Sequence, residues 1–249
     1  MIVNAYAAIW PIVRATVLEA ARRKDIAVLA IFMVALLFVL GSARVVGLER
    51  PAAGTFLLNL SLTLIIGGAH LVTLLVAARQ IPDEIEQRTL YPLLARPIRR
   101  SDVLIGKWLA AFLLGLLLMF CLFVPVWLLV PRLEHYETGT LIQLLTLQPL
   151  ALMATAAVPL FLTLCLPRGL AMALALLIVI GADYLVRFVD GFPLIWLLPN
   201  PSRLNLVLRY TDGIAPLAWG SWAVLACAAL LWTVSLLFMA KHLFERRAL

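Results

Sequence analysis

Charge is what this sequence lacks most. Only 13% of its 249 residues are Asp, Glu, Lys or Arg, whereas 64% are hydrophobic. A soluble domain carries about 25% charged and about 45–50% apolar residues. A water-soluble fold of this length cannot enclose so much apolar surface, so a soluble globular domain is excluded and lipid is the expected solvent. Cysteine is nearly absent too. Cys121, Cys165 and Cys227 each fall inside an apolar run. An odd, scattered set gives no disulfide framework and no zinc spacing, so the three are expected to be small, buried packing residues and no metal site is expected. Histidine is equally scarce, and His70 is the one ionisable group well inside an apolar segment. A proton- or ion-coupled relay needs several titratable groups at membrane depth. A single histidine is expected to be a satisfied contact between helices.

Catalytic signatures are missing as well. Neither HExxH nor GxSxG occurs, and nothing has the spacing of a nucleophile with its base. Gly106–Lys107 has the ending of a phosphate-binding loop, but Ser101 stands where the earlier glycine is needed and Trp108 follows the lysine. The backbone donors of such a loop cannot be arranged there. The chain is therefore expected to have no catalytic activity and to bind no cofactor itself.

What is present is a series of long apolar runs. About 20 residues cross a hydrocarbon core of about 30 Å as a helix. Six stretches qualify: Ile26–Leu48, Phe56–Ala78, Val103–Val130, Leu141–Leu166, Leu170–Phe188 and Leu217–Ala240. The expected fold is thus an all-α polytopic membrane protein with six transmembrane helices in a single domain, residues 1–249. The run from Ile26 is longer than the hydrophobic part of a cleavable signal, so it is expected to remain as a span.

The net charge of +7 does not point to nucleic acid, because the basic residues flank the apolar runs. With both termini on the cytoplasmic side, inner segments hold fourteen Lys and Arg and outer segments six, as the positive-inside rule requires. Residues 1–25 are too polar to span. With Pro11 in a first turn, Ile12, Val13, Val17, Ala20 and Ala21 recur at helical spacing opposite Arg14, Glu19, Arg22 and Arg23. This is the pattern of an interfacial helix with its apolar face in lipid. Residues 189–216 hold a short apolar run, Phe192–Leu198, bracketed by prolines, and are expected to form short re-entrant or outer helices. Asp183 and Arg187, four apart, are expected to pair.

The remaining charge is concentrated. Arg79–Lys107 spans 29 residues but contains 10 of the 33 charged side chains, with Pro82, Pro92 and Pro97. Pro82 is suited to opening a helix, with Asp83, Glu84 and Glu86 complementing its N-terminal dipole. Pro92 forces a bend, Leu90, Leu93 and Leu94 give an apolar face, and Arg96, Arg99 and Arg100 return the chain to the membrane. Ser101 is placed as the cap of the third span, with Asp102 in its first turn. A solvated loop needs neither that apolar face nor those prolines; a docking surface needs both.

The string IPDEIEQRTLYPLLARPIRRSDVLIGKW resembles the cytoplasmic loop of type-2 ABC transporter permeases. The shared positions are Glu84, Glu86, Thr89, Leu90, Leu93, Leu94, Pro97, Ile98, Arg99, Arg100, Gly106 and Lys107; Arg88 stands where many members have glycine. The resemblance implies that residues 79–102 form a coupling helix seated in a separate ATPase. Asp83, Glu84, Glu86, Gln87, Arg88, Thr89 and Leu90 would make the contact. Pro82, Pro92, Leu93, Leu94, Arg96, Pro97, Arg99, Arg100, Gly106 and Lys107 would shape the loop. It further implies two ATPase copies holding ATP and Mg2+, a second permease copy, a bacterial inner-membrane location and export. Few polar residues lie in the spans (Asn59, His70 and Gln143 among them), which suits an amphiphilic or lipid-linked cargo. An ion-coupled carrier or channel, and a non-transporting membrane anchor, remain as alternatives at this point.

Overall fold

In the computed structural model the described residues are 5–22, 31, 34, 35, 38, 51–86, 99–129, 137–181 and 201–246. Among them the regular secondary structure is all helical. The helices are α1 (Ala5–Ala21), α2 (Pro51–Glu86), α3 (Arg100–Leu129), α4 (Thr138–Cys165), α5 (Arg168–Ile180), α6 (Val207–Thr211) and α7 (Trp219–Arg246), with a 3-10 turn at Pro201–Leu204. Four are long and apolar enough to cross a bilayer: Gly54–Glu86, Arg100–Leu128, Thr138–Cys165 and Trp219–Arg246. Of the first expected span only Ile31, Val34, Ala35 and Phe38 are described; they are helical and exposed. Of the fifth expected span, residues 170–181 are described, and α5, 13 residues that are apolar after Arg168, contains all of them but Gly181.

Burial separates the helices by role. Two-thirds (67%) of the apolar window of α4 is enclosed, against 22% for α7. Helix α4 is therefore the centre of the bundle, and α7 presents most of its surface outward. Small residues set the spacing of α2 and α3. A Cβ on Gly115 of α3 would lie 1.8 Å from Thr73 Oγ1 and 3.2 Å from the Ala69 carbonyl oxygen of α2. Lipid gives apolar side chains no reason to leave it, so close backbone packing of this kind is what holds membrane helices together. Prolines 125, 149 and 159 are all inside α3 or α4, where neighbouring helices can satisfy the freed carbonyls.

Two ends of the bundle can be distinguished. The charged end comprises the end of α2, the start of α3, the α4–α5 junction and the end of α7. Here Ile81, Val103, Leu104, Leu160, Leu164 and Phe244 form a core with Ile12 of α1. At the far end residues 201–218 are fastened to α4. The Gln143 amide donates to the Leu217 carbonyl and accepts from the Leu217 N–H, both at 2.8 Å, and Thr140 donates to the Ile214 carbonyl at 3.0 Å. Tyr210 is buried beneath them, and Gly213 takes the left-handed turn (φ 64°) that glycine adopts without strain. The short run Phe192–Leu198 and the pair Asp183–Arg187 lie outside the described residues.

Several expectations need correction. Helix α1 begins at Ala5, so Pro11 is inside it rather than in its first turn. Its apolar face is turned to protein instead of lipid: Ile12, Val13, Thr16 and Ala20 are buried. A Cβ on Gly106 would come within 3.0 Å of Ile12 Cγ2, so this glycine provides the seat for α1 on α3. Trp10 and Leu18 face outward. The three cysteines are exposed on the surface of the chain. In a membrane protein the outward faces are as apolar as the core, and composition does not separate them.

Candidate functional site: the charged end

Pro82 does not open a helix. Helix α2 runs through it to Glu86 as one element of 36 residues, about 54 Å at 1.5 Å per residue. That exceeds a hydrocarbon core of about 30 Å by several turns. Proline suits the helical φ, and inside α2 it removes one backbone hydrogen bond. Asp83, Glu84 and Glu86 are consequently inside α2, beyond its apolar stretch, and they face cations from two other helices.

Glu84 is paired with Lys107 of α3. Nζ stands 2.6 Å from Glu84 Oε1 and 3.4 Å from the Gln80 carbonyl oxygen, and the lysine is only 2% exposed. Asp83 is paired with Arg168 of α5, Nη1 to Oδ1 2.7 Å, and the same guanidinium stands 4.0 Å from Glu86 Oε2. Glu86 is itself mostly exposed. Consecutive residues point about 100° apart around a helix, so 83 and 84 address two different neighbours. Glu19 of α1 also lies within electrostatic reach of Lys107. The Gln80 side-chain amide is buried beside them, with neither Oε1 nor Nε2 hydrogen-bonded among the described residues.

Arg100 opens α3 and directs Nη1 at the Phe244 and Glu245 carbonyls, 3.4 and 3.5 Å away, in the last turn of α7. A cation there complements that helix dipole. Ser101 is not a cap: the Arg99 carbonyl accepts from Asp102 N (3.0 Å), so α3 starts before Ser101. Asp102 does occupy the first turn, as expected. Gln87, Arg88, Thr89, Leu90, Pro92, Leu93, Leu94, Arg96 and Pro97 lie outside the described residues.

Deeper in the bundle, His70 of α2 has two partners on α4. Its Nδ1 is 2.7 Å from Thr155 Oγ1 and its Nε2 is 3.4 Å from Gln148 Oε1. Gln148 Nε2 donates to the Leu204 carbonyl (3.2 Å). That leaves Gln148 Oε1 to accept from His70 Nε2–H, while the single Thr155 hydroxyl proton is shared between His70 Nδ1 and the Ala151 carbonyl 2.9 Å away. The histidine is satisfied within the protein, as expected. Among the described residues no group of three or more His, Cys, Asp or Glu is placed to hold a metal ion.

The sequence pointed to Lys107 and the three carboxylates but not to the pairing between Glu84 and Lys107 or to Arg168. In it Arg168 counts only as a topological charge, and Gln80 has no role. The signal for Arg168 is a cation in the first turn of a helix, against the dipole; it needs an acid nearby, which sequence distance conceals.

These features define a multi-pass α-helical membrane protein whose long helices meet in a charged cluster beyond the apolar core, the build of a transport permease. The chain belongs to the ABC-2 family of transporter proteins: the family model described as ABC-2 family transporter protein matches residues 21–182, more than half of the chain. No curated protein gave a significant match. The matched region contains the whole charged segment Arg79–Lys107 and reaches Arg168. Members of this family are transport subunits rather than enzymes and usually work with an ATPase partner.

Proposed function

We propose that this chain is the permease subunit of an ATP-driven exporter of the bacterial plasma membrane, with the charged end and both termini cytoplasmic. A separate ATPase, present in two copies and holding ATP and Mg2+, seats on the segment that follows α2. A second permease copy completes the transport path, and the cargo is amphiphilic or lipid-linked. The observation that carries this reading is the overlength α2. It leaves the apolar core, passes through Pro82 without a break and presents exposed Glu86 on a turn clamped by Lys107 and Arg168. A segment meant to receive force needs such a rigid base; a loop that only fixes topology does not. Asp83 and Glu84 are engaged internally, which favours Glu86 and the residues that follow, Gln87–Leu90, as the ATPase contact.

The test is co-purification of the chain with the ATPase encoded beside it. Glu86→Arg combined with Arg88→Glu is expected to abolish the complex while leaving the permease folded. Undiminished complex formation, or no complex with the unaltered chain, would overturn the proposal.

A further inference from the structure

We infer that Asp83 and Glu84 form a two-way junction, and that Lys107 and Arg168 are positioning residues carrying displacement of the coupling segment into α3 and α5. The inference rests on the coupled-permease reading above. Adjacent residues of α2 grip two helices: Glu84 holds Lys107 at 2.6 Å and Asp83 holds Arg168 at 2.7 Å. The two arms differ in character. The Lys107 arm is enclosed (2% exposed at the cation), and solvent does little to weaken it. The Arg168 arm is 36% exposed at the guanidinium, with Glu86 as a second carboxylate 4.0 Å away.

The second arm is placed against local electrostatics at α5. Arg168 is the first residue of that helix, so its charge opposes the dipole of its own helix. The Asp83 carboxylate, 2.7 Å away, offsets that cost. That contact also fixes the α4–α5 junction, where the helices are separated only by extended Leu166 and Pro167. A shift of this part of α2 therefore cannot leave α5 behind without separating Arg168 from the carboxylates of Asp83 and Glu86. On the other side Gly106, next to Lys107, seats α1, so the first arm reaches the N-terminal helix as well.

The experiment uses the full-length permease with its ATPase in lipid nanodiscs. Arg168→Gln is expected to co-purify with the ATPase normally. Its permease-stimulated ATP hydrolysis should fall by at least about fivefold, the lower end of typical coupling between linked sites. The exchange Asp83→Arg with Arg168→Asp is expected to restore most of that stimulation, which a purely structural role for either residue alone would not. Unchanged stimulation in Arg168→Gln, or an exchange variant no better than the single one, overturns the junction.

If the unaltered chain binds no ATPase, the coupled reading fails, and spin labels decide the junction separately. Labels at Ile105 and Leu170, both exposed, are introduced with the native cysteines replaced. The permease alone should give a narrow distance distribution, broadened by Arg168→Gln and narrowed again by the exchange. A distribution that Arg168→Gln leaves unchanged overturns the junction in that case.

Discussion

Lys107 Nζ stands 2.6 Å from Glu84 Oε1, joining α3 to α2 where the apolar core ends. Removing one member of an enclosed ion pair costs about 3–5 kcal/mol; with Glu84 partly solvated the expected loss for Lys107→Met is roughly half that. Lys107→Met with Glu84→Leu removes both charges and is expected to recover most of the lost stability, since an apolar pair replaces an ionic one at little net cost. Thermal unfolding in detergent compares the three proteins. A double variant as unstable as the single one would show that the stranded Glu84 charge is not what destabilises Lys107→Met.

Gly115 is expected to tolerate no side chain. A Cβ there meets Thr73 Oγ1 at 1.8 Å, so Gly115→Ala forces α2 and α3 apart and should cost about 1–3 kcal/mol, the range for overpacking. Thr73→Ala removes the nearest obstructing atom. Combined with Gly115→Ala it is expected to restore part of the loss, read as the unfolding midpoint. Equal midpoints for Gly115→Ala with and without Thr73→Ala would refute the close approach.

Gln143 mimics a strand partner for Leu217, bonding both its N–H and its C=O. Gln143→Leu strands both groups, at about 1–3 kcal/mol for each left buried and unpaired. The local readout is amide hydrogen exchange at Leu217, expected to accelerate at least tenfold, since about 1.4 kcal/mol of lost protection already corresponds to that factor. Exchange unchanged at Leu217 would mean that the clasp does not hold residues 201–218.

Gln80 makes the opposite prediction. Its buried amide has no hydrogen-bond partner among the described residues, and an unsatisfied group of this kind costs about 1–3 kcal/mol. Gln80→Met keeps the length and removes the polar atoms. It is expected to raise the unfolding midpoint, and a lowered midpoint would contradict the assignment.

The sequence made the broad architecture legible because the membrane imposes a length on apolar runs. Helices α2, α3, α4 and α7 fall close to where their hydropathy placed them. What it concealed follows from the same solvent. In water the polar face of a helix marks the outside; in lipid the outward and inward faces are equally apolar, so the burial of Ile12 against Gly106 and the exposure of the cysteines could not be read. Pro82 was misleading for a related reason. A proline followed by three acids is the signature of a helix start, and only the positions of Lys107 and Arg168 explain how the same residues can lie inside one.

The seat of α1 on Gly106 has a consequence for biogenesis. Ile12 leaves the ribosome early in synthesis, but the glycine that receives it belongs to α3 and is made only after α2 and the charged segment are complete. Until then the apolar side of α1 has no protein partner, and the bilayer surface is its only shelter. The N-terminal helix should therefore change its solvent once during assembly, resting on lipid first and moving onto the bundle when α3 inserts.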